Sequence, residues 1–241
     1  MRDVNSGTLY GIGTGPGDPG LLTQKAKACI MAADLICLPQ AERETCRAYQ
    51  TALRAVPELA GKPCLCFPFP MTRSKEEAKR VHEEVWSAIR RQLLDGKSCA
   101  FLTIGDPAVY STFTYIAKLA AAENFQVKTV SGVASYQAAA ACLGISLCEG
   151  DEELHIGTGA GDVEALLSLP GTKVIMKCGA AMPRIMELLR KAAERRHLQV
   201  YAVTDCGLES ERRYCGMDEI PEAPGYMTTV IVKEERGGTA L

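Results

Sequence analysis

The sequence predicts two α/β domains, the first with a largely parallel sheet and the second with a mixed sheet. Short apolar runs alternate with helical periodicity from Thr8 to Val130, which is typical of parallel strands joined by helices. Two glycine-containing turns each follow a strand and open a helix. Strand patterns become denser after Ser131. We therefore expect an N-terminal domain at residues 1–130 and a C-terminal domain at residues 131–241.

The chain opens with a pattern typical of a βαβ unit. A strand is predicted from Thr8 to Gly13, followed by a turn rich in glycine and proline. Apolar residues at helical spacing predict a helix from Leu21 to Met31, and Asp34 to Leu38 follows as the second strand. Parallel strands joined in this way make a right-handed crossover.

The next segment completes one edge of the first sheet. Residues 42–59 show only a weak helix and a loop, and Pro63 to Phe67 is predicted as a strand. After a loop containing Pro70 and Met71, Ser74 is expected to cap a long helix that runs to about Asp95.

A central strand then leads into the turn that is the first place to look for a site. Cys99 to Thr103 is apolar, and Gly105-Asp106-Pro107 follows. Asp106 is predicted to cap the next helix, with Pro107 at its first position. Ligands of open α/β sheets bind just past the carboxyl ends of the strands. Gln126 to Val130 is the fifth predicted strand.

The second domain begins with an alanine-rich helix and continues with strands, some of them expected to be antiparallel. The predicted elements are the helix Ser135 to Leu143, the strands Glu153 to Gly157 and Lys173 to Lys177, a short helix begun by Asp162, the helix Ala181 to Arg195, and the strands Gln199 to Thr204 and Met227 to Glu234.

Composition limits the classes of function. The 27 lysines and arginines against 29 aspartates and glutamates give a net charge of −2, which gives no reason to expect a nucleic-acid partner. No apolar run is long enough to span a bilayer. Met1 to Gly7 lack the apolar core of a secretion signal. We expect a cytoplasmic protein with no membrane partner.

Eleven cysteines are scattered without a Cys-x-x-Cys pair, the closest two being Cys64 and Cys66. Zinc sites usually show paired spacing, and disulfide scaffolds are small. We therefore expect the cysteines to act as small buried hydrophobic residues in a reducing compartment, and we expect no metal site.

Neither glycine turn fits a phosphate-binding motif. Residues 15–20 match the letters Gly-x-Gly-x-x-Gly, but Pro16 and Pro19 remove backbone donors that a pyrophosphate would use. Gly96-Lys97-Ser98 has the ending of a P-loop, yet it precedes a strand and lacks the leading glycine.

Instead, each turn carries an acid, Asp18 in the first and Asp106 in the second. A carboxylate at a helix start opposes a phosphate and is compatible with hydroxyls or a cation. S-adenosylmethionine, which has an ammonium, a sulfonium and a ribose, fits that pattern. The alternative, that both aspartates only cap helices, stays open on spacing alone.

Three motifs occur in order along the chain: Gly11-Ile-Gly-Thr-Gly-Pro-Gly-Asp-Pro, Leu102-Thr-Ile-Gly-Asp-Pro-Ala-Val-Tyr-Ser-Thr-Phe, and Val130-Ser-Gly-Val-Ala-Ser. They resemble the motifs of the tetrapyrrole methylase family, with Ser131 in place of the proline of the family, and the match covers nearly the whole chain. Glu149-Gly-Asp-Glu, together with the second motif, is most similar to family members that methylate precorrin-2 or cobalt-factor II at C-20 in corrin (vitamin B12, cobalamin) synthesis.

The resemblance implies a two-domain, tetrapyrrole methylase-like enzyme, usually a homodimer, that binds S-adenosyl-L-methionine in the cleft between its domains and methylates a tetrapyrrole. Carried over motif by motif, it implies cofactor contacts at Pro16, Ile104, Gly105, Asp106, Val109, Ala134, Ser135, Cys178 and Gly207.

The implied reaction moves a methyl group to an electron-rich meso carbon, so catalysis is mainly alignment of atoms roughly 3–3.5 Å apart. A protein base must then remove a proton, or the ring loses it to water. Tyr110 and Asp151 are the main candidates for the base, with Glu149 and His155 as further candidates. Tyr110, Phe113 and Tyr115 are also candidates to face the ring, although Phe113 is expected to lie in the core. Basic residues are expected to bind the substrate carboxylates, and the candidates are Arg73, Lys177 and Arg184.

Two other classes of function stay open. One is a methyltransferase of the same fold that acts at another ring carbon, on diphthine or on ribosomal RNA, the last disfavoured by the net charge. The other is a ligand-binding protein without catalytic activity. The sequence also leaves open whether the substrate carries cobalt.

Overall fold

A computed structural model describes residues 6–69 and 74–234 of the chain. The chain divides into two compact units, one ending at Ala134 and the other beginning at Ser135. Features named from the sequence that lie outside the described residues are the first five residues of the segment Met1 to Gly7, the loop residues Pro70 and Met71, and the candidate Arg73.

The first unit is a parallel sheet of five strands in the order β3-β2-β4-β1-β5. Helices alternate with the strands along the chain, as predicted. The elements are β1 (Thr8–Gly13), α1 (Gln24–Ala32), β2 (Leu35–Leu38), α2 (Arg47–Ala55), β3 (Cys64–Cys66), α3 (Lys75–Leu94), β4 (Cys99–Thr103), α4 (Phe113–Ala122) and β5 (Gln126–Val130), with 3-10 turns at Pro19–Leu21 and Pro57–Gly61.

Both faces of this sheet are buried, which is typical of parallel strands covered by helices. Residues of α1 and α2 share an apolar cluster with Ile12 and Leu102. Residues of α3 and α4 share a second cluster with Leu9 and Phe101, on the opposite face of the same two strands. Because β1 and β4 are packed from both sides, their carboxyl ends are held in one register, with Gly13 beside Thr103.

Side-chain caps decide where the helices of this unit begin. The Thr23 hydroxyl accepts a hydrogen bond from Ala26 N at 3.1 Å, so α1 begins at Gln24, shortly after the start predicted at about Leu21. Ser74 caps α3 as predicted, through Glu77 N at 3.2 Å. The helix predicted to start at Pro107 begins only at Phe113, so that prediction is wrong.

The second unit contains a mixed sheet in the order β6-β7-β10-β8-β9. Strands β6 and β7 are parallel, whereas β10 runs antiparallel to both β7 and β8. The predicted fold class, with one parallel and one mixed α/β sheet, is confirmed. The elements are α5 (Ser135–Leu143), β6 (Leu154–Thr158), α6 (Val163–Ser168), β7 (Thr172–Met176), α7 (Met182–Ala193), β8 (Leu198–Thr204), β9 (Arg212–Tyr214) and β10 (Thr228–Glu234).

The core of the second unit lies between this sheet and the helices α6 and α7. Ile185 and Leu189 of α7 pack against Ile175 and Val230, while α5 contacts β8 and β10. Strand β9 was not predicted, because a short edge strand of two arginines and a tyrosine shows no apolar alternation.

In the part of the chain described, no helix is both long enough and apolar enough to cross a membrane.

Candidate functional site

The strand order places a topological switch point between β1 and β4. From β1 the chain continues to β2, which lies beyond β4 in the sheet. From β4 it continues to β5, which lies beyond β1. The two connections therefore leave the carboxyl ends of neighbouring strands in opposite directions. In an open α/β sheet this divergence is where a ligand site is expected.

The two glycine turns meet at this point. Gly15 N donates to Gly105 O at 3.3 Å, and Gly105 N donates to Gly15 O at 2.7 Å. Both glycines have positive φ values, +76° and +71°, a conformation that residues with a Cβ rarely adopt. The bridge brings the predicted cofactor residues Pro16, Ile104 and Asp106 together, because each directly follows or precedes one of the two glycines.

A third glycine closes the arrangement. A Cβ on Gly132 would lie 2.3 Å from Gly105 O and 2.9 Å from the Cα of Gly13, and a Cβ on Gly13 would lie 2.6 Å from Gly132 N. Only glycine permits such close approach of three backbone segments. All three motifs quoted from the sequence therefore converge here, and Ala134 of the third motif lies two residues beyond Gly132.

The carboxylate of Asp106 joins the second motif to the third. Its Oδ1 accepts from Ala108 N at 2.7 Å and its Oδ2 accepts from Gly132 N at 3.0 Å. Asp106 does not cap helix α4, which begins at Phe113, so that prediction is wrong. The side chain instead stabilises the turn itself.

Asp18 has a similar local role in the first turn. Its Oδ1 accepts from Gly20 N at 2.7 Å, at the start of the 3-10 turn Pro19–Leu21. The carboxylates of Asp18 and Asp106 thus already occupy the N–H groups of Gly20, Ala108 and Gly132. A phosphate placed here would meet negative charge instead of free donors, which supports the rejection of the phosphate motifs.

The segment between Asp106 and α4 is irregular and carries Tyr110. Val109 is half-buried, whereas Tyr110 is 47% exposed and has a φ of +48°. Such a backbone is uncommon for a residue with a bulky side chain. Ser111 ends the segment, because its hydroxyl lies 2.9 Å from the Thr103 hydroxyl and accepts from Phe113 N at 3.1 Å.

Two site residues were missed in the sequence. Thr14 N and Thr14 Oγ1 both donate to Thr103 O, at 2.9 and 3.2 Å. The Ser111 hydroxyl accepts from Phe113 N in the turn before α4, whose N-cap residue, Thr112, makes no side-chain cap bond. Such a local serine-to-backbone bond is common in turns, but the Asp106-Pro107 pair obscured it. Phe113 lies in the core, as expected, against Gly11, where a Cβ would approach its ring to 2.1 Å. Tyr115 stacks on His82, with ring centroids 4.5 Å apart.

In the second unit, the predicted cofactor residues Ser135, Cys178 and Gly207 lie near the start of β10. Cys178 N donates to Thr228 O at 3.2 Å, and the Ser135 and Thr229 hydroxyls are 3.4 Å apart. Gly207 follows β8, whose last residue, Thr204, forms a 2.9 Å hydroxyl contact with Thr228. All three therefore belong to the edge where β7 and β8 end.

The Cys178 side chain faces inward. Its thiol is fully buried and donates to Ile175 O at 3.1 Å. Burial raises the pKa of this thiol to about 12. The backbone is engaged as well, because Cys178 N donates to Thr228 O and Cys178 O accepts from Ala181 N at 2.7 Å. Neither the sulfur nor these two backbone groups of Cys178 are open to a ligand in this structure.

Asp151 does not lie at the same edge of the second sheet as Ser135, Cys178 and Gly207. Asp151 precedes β6, with Glu152 and Glu153, at the edge of the sheet where β6 and β7 begin. A cavity of about 310 Å³ at this edge is lined by acidic side chains and by Pro170 and Gly171. The other base candidates are at the same end of β6: His155 Nε2 lies 3.0 Å from Glu153, and Glu149 N donates to Glu152 at 3.2 Å.

Two predicted substrate-binding cations lie at the opposite edge, where β7 ends. Lys177 directly follows β7 with a φ of +55°, and desolvation lowers the pKa of its ammonium below the ordinary value of 10.5. Arg184 is exposed in the first turn of α7. Both therefore stand at the same edge of the sheet as Cys178.

Comparisons with known proteins place the chain in a family. A model of the family described as Tetrapyrrole (Corrin/Porphyrin) Methylases matches residues 8–220. A protein of Methanocaldococcus jannaschii named "Probable cobalt-precorrin-2 C(20)-methyltransferase" is 34% identical, covering 93% of this chain and 95% of its own. A Sinorhizobium protein named "Precorrin-2 C(20)-methyltransferase" is 30% identical, covering 78% of this chain and 80% of its own.

The fold is also similar to that of a solved structure. Uroporphyrin-III C-methyl transferase from Thermus thermophilus, complexed with S-adenyl homocysteine, superposes with a TM-score of 0.69 at 20% identity, covering 95% of this chain and 98% of that chain. At this identity the likeness concerns the fold.

Proposed function

The chain belongs to the tetrapyrrole methylase family, and from that premise we propose that it transfers a methyl group from S-adenosylmethionine to C-20 of precorrin-2, with or without cobalt, in cobalamin biosynthesis. Relatives named for this reaction match most of the chain at 34% and 30% identity. The main alternative, a reaction at another ring carbon or on a different substrate, has no such support among these relatives.

The observation that carries the cofactor assignment is the meeting of three glycine segments at the switch point of the first sheet. The residues present fit S-adenosylmethionine. The carboxylates of Asp18 and Asp106 give the turns negative charge, which favours an ammonium and a sulfonium over a phosphate. In the relative of known structure, S-adenyl homocysteine is the bound molecule.

We propose as cofactor contacts the residues that the family resemblance implies. In the first unit these are the residues around the Gly15–Gly105 bridge and the third motif. In the second unit they are the residues beside the start of β10. The proposed set is Pro16, Ile104, Gly105, Asp106, Val109 and Ala134, with Ser135, Cys178 and Gly207.

When bound, S-adenosylmethionine supplies the methyl group: its S–CH3 bond breaks with the electron pair left on sulfur, a C–C bond forms at C-20, and a proton leaves the ring. The residues of the chain orient this transfer more than they activate it. Tyr110 is the candidate that lies on the switch-point segment, with an exposed side chain on a strained backbone. Asp151 stands with other acids at the far edge of the second sheet, so we favour Tyr110 for contact with the substrate.

Two further properties are proposed with the function. The chain acts as a homodimer, the assembly usual in the family it resembles, and light scattering on the purified protein measures this directly. It acts in the cytoplasm, which is supported by eleven free thiols and no disulfide in the described residues, since a reducing compartment keeps thiols free.

The test is a transfer assay under anaerobic conditions with methyl-labelled S-adenosylmethionine and two substrates, metal-free precorrin-2 and its cobalt-containing form. We expect label in the tetrapyrrole, at C-20 by nuclear magnetic resonance, with one of the two forms preferred. Label at another carbon supports the alternative. Tight cofactor binding without transfer to either substrate contradicts the proposed reaction.

A further inference from the structure

Three side chains of the second unit converge outside the edge described above. The sulfur atoms of Cys142 and Cys206 and a carboxylate oxygen of Glu211 all lie within 4.8 Å of one another. Within residues 6–69 and 74–234, no other group of three or more histidine, cysteine, aspartate or glutamate side chains meets this criterion. Cys142 lies on α5, whereas Cys206 and Glu211 lie on the connection between β8 and β9.

Existing contacts hold these donor atoms near their positions. Cys206 is buried, and the Cys142 thiol donates to Ala139 O at 3.2 Å. Glu211 Oε2 accepts from Gly207 N at 2.8 Å, and Oε1 forms an ion pair with Arg213 at 2.7 Å. The carboxylate is therefore oriented from two sides and points toward the pair of sulfurs.

The donor set suits one class of ligand. Two sulfurs and one carboxylate oxygen match thiophilic divalent ions such as Zn²⁺, and not Mg²⁺ or Ca²⁺, which prefer oxygen alone. Tetrahedral Zn²⁺ has Zn–S distances of about 2.3 Å, which corresponds to roughly 3.8 Å between two sulfurs. The two sulfurs must approach each other by about 1 Å at most, and each sulfur must approach the carboxylate oxygen by about 1.3 Å at most, since Zn–O is about 2.0 Å. These changes are within reach of side-chain rotation.

We propose that Cys142, Cys206 and Glu211 bind one Zn²⁺ or a similar thiophilic divalent ion, with water in the fourth position. Binding deprotonates both thiols, so each metal ion taken up releases two protons. The total charge of the site is then zero, because the divalent ion and the guanidinium of Arg213 balance the two thiolates and the carboxylate. The ion joins α5 to the β8–β9 connection and stiffens the turn that contains Gly207.

The sequence alone did not reveal this site. Cys142 and Cys206 are far apart in the chain, whereas the usual signal of a zinc site is a close cysteine pair. The inference does not depend on the methyltransferase activity, because its test measures metal and not turnover.

The experiment uses the reduced, full-length protein, stripped with a chelator and dialysed anaerobically against Zn²⁺ alone. Metal per chain is measured by elemental analysis, and the same titration is repeated with Co²⁺, whose absorption reports sulfur ligation. Two double variants are compared: Cys142→Ser with Cys206→Ser, and the matched control Cys64→Ser with Cys66→Ser in the first unit. Both pairs consist of free thiols, and circular dichroism confirms that each variant is folded.

We expect one Zn²⁺ equivalent in the wild type and in the control, and its complete loss in the Cys142/Cys206 variant. Glu211→Gln should weaken binding by roughly tenfold or more, since even outer-shell partners contribute 10- to 100-fold. Sulfur-to-metal absorption should appear with Co²⁺ and disappear with the same variant. Equal stoichiometry in all variants, loss of the ion in the Cys64/Cys66 control, or a Cys142–Cys206 disulfide in freshly purified protein would overturn the proposal.

Discussion

The carboxylate of Asp106 accepts a hydrogen bond from the backbone N–H of Gly132, 3.0 Å away and 26 residues further along the chain. The same carboxylate holds Ala108 N at 2.7 Å. One side chain therefore fixes its own turn and attaches it to the segment that packs against Gly13 and Gly105. This dual contact means that Asp106 contributes to folding as well as to the site.

Replacement of Asp106 by alanine should therefore reduce both stability and cofactor affinity. Hydrogen bonds to a charged acceptor contribute about 1.5–3 kcal/mol each when shielded, and these are partly exposed, so we expect a loss of about 2 kcal/mol in the free energy of unfolding. Urea denaturation measures that loss, and calorimetric titration with S-adenosylmethionine measures the affinity.

Asp18→Ala is the matched control for this variant. Asp18 makes one local contact, with Gly20 N in an exposed turn, so its loss should cost about 1 kcal/mol or less. If Asp106→Ala and Asp18→Ala are equally stable and bind the cofactor with wild-type affinity, the connecting role of Asp106 is wrong.

The contact between three glycines makes a sharper prediction. In Gly132→Ala the new Cβ would lie 2.3 Å from Gly105 O and 2.8 Å from the Gly13 carbonyl carbon. Backbone cannot move aside as a flexible side chain can, so we expect the switch point to open, with a loss of several kcal/mol and of cofactor binding.

Gly61→Ala provides the control, because nothing lies within 4 Å of a Cβ at that position and its φ is not in the left-handed region. Thermal unfolding of both variants by circular dichroism tests the contrast. We expect the Gly61 variant to stay within about 1 kcal/mol of the wild type. Similar midpoints for the two variants would show that the glycine contact is not required.

The course of the chain was predictable where local signals agree. β1, β4, β5 and α5 were placed at their observed bounds, since apolar strands and alanine-rich helices are recognisable without tertiary context. The start of α4 was not predictable in the same way. Asp106-Pro107 is a strong helix-start signal, yet the side chain of Asp106 is used by Gly132, a residue that no local pattern connects to it.

The candidate site shows the same limit. The glycine turns predict a site at the carboxyl edge of the first sheet, and the structure brings the two turns together there. The position of Asp151 within the second unit was not predictable in the same way. Asp151 follows the third motif closely in the chain, but it precedes β6 and stands with Glu152 and Glu153 where the strands begin. Only the direction of each strand reveals this.

Tyr110 allows the role of a side chain to be separated from that of its backbone. In Tyr110→Gly the φ of +48° becomes unstrained, and this gain approximately offsets the entropic cost of glycine, so stability should change by less than about 1 kcal/mol. Activity should nevertheless fall if the ring contacts the substrate.

Tyr110→Phe and Tyr115→Phe complete this test as a matched pair, since the two tyrosines are 47% and 52% exposed. A proton-accepting or hydrogen-bonding hydroxyl at Tyr110 predicts a lower kcat with little change in KM in the first variant only. Steady-state kinetics with both substrates measure this difference. Unchanged kinetics in Tyr110→Phe and Tyr110→Gly would exclude Tyr110 from the reaction.

Thiol reactivity should follow burial. Cys178 is fully buried and its pKa is raised to about 12 by burial, so it offers almost no thiolate near neutral pH. Cys148 and Cys215 are exposed. In native, metal-free protein, iodoacetamide should therefore modify Cys148 and Cys215 first, as measured by peptide mass spectrometry over time. Early modification of Cys178 in folded protein would mean that its thiol faces the solvent and not Ile175.

The most deeply buried charge of the second unit predicts a dependence of stability on pH. Lys173 is 1% exposed and pairs with Glu234, which also contacts Arg196 at 2.8 Å. Burial alone would raise the pKa of Glu234, but the hydrogen bonds and charges of Lys173 and Arg196 outweigh it and hold the pKa below 4.5. The ionised carboxylate is thus favoured in the folded state.

Because the pKa of Glu234 is lower in the folded than in the unfolded protein, the pair stabilises the protein fully above about pH 4.5. The contribution is lost as the pH falls through the folded pKa.

Glu234→Gln leaves Lys173 buried with less compensation and should cost about 3 kcal/mol in the free energy of unfolding at neutral pH. Lys173→Met should cost less, since Glu234 keeps Arg196 and methionine fills the space. Glu187→Gln, which breaks the exposed Glu187–Lys191 pair, should have no measurable effect. Urea unfolding from pH 7 to acid should show the Glu234→Gln difference shrinking below about pH 4.5, and a difference that is constant with pH would contradict this account of the pair.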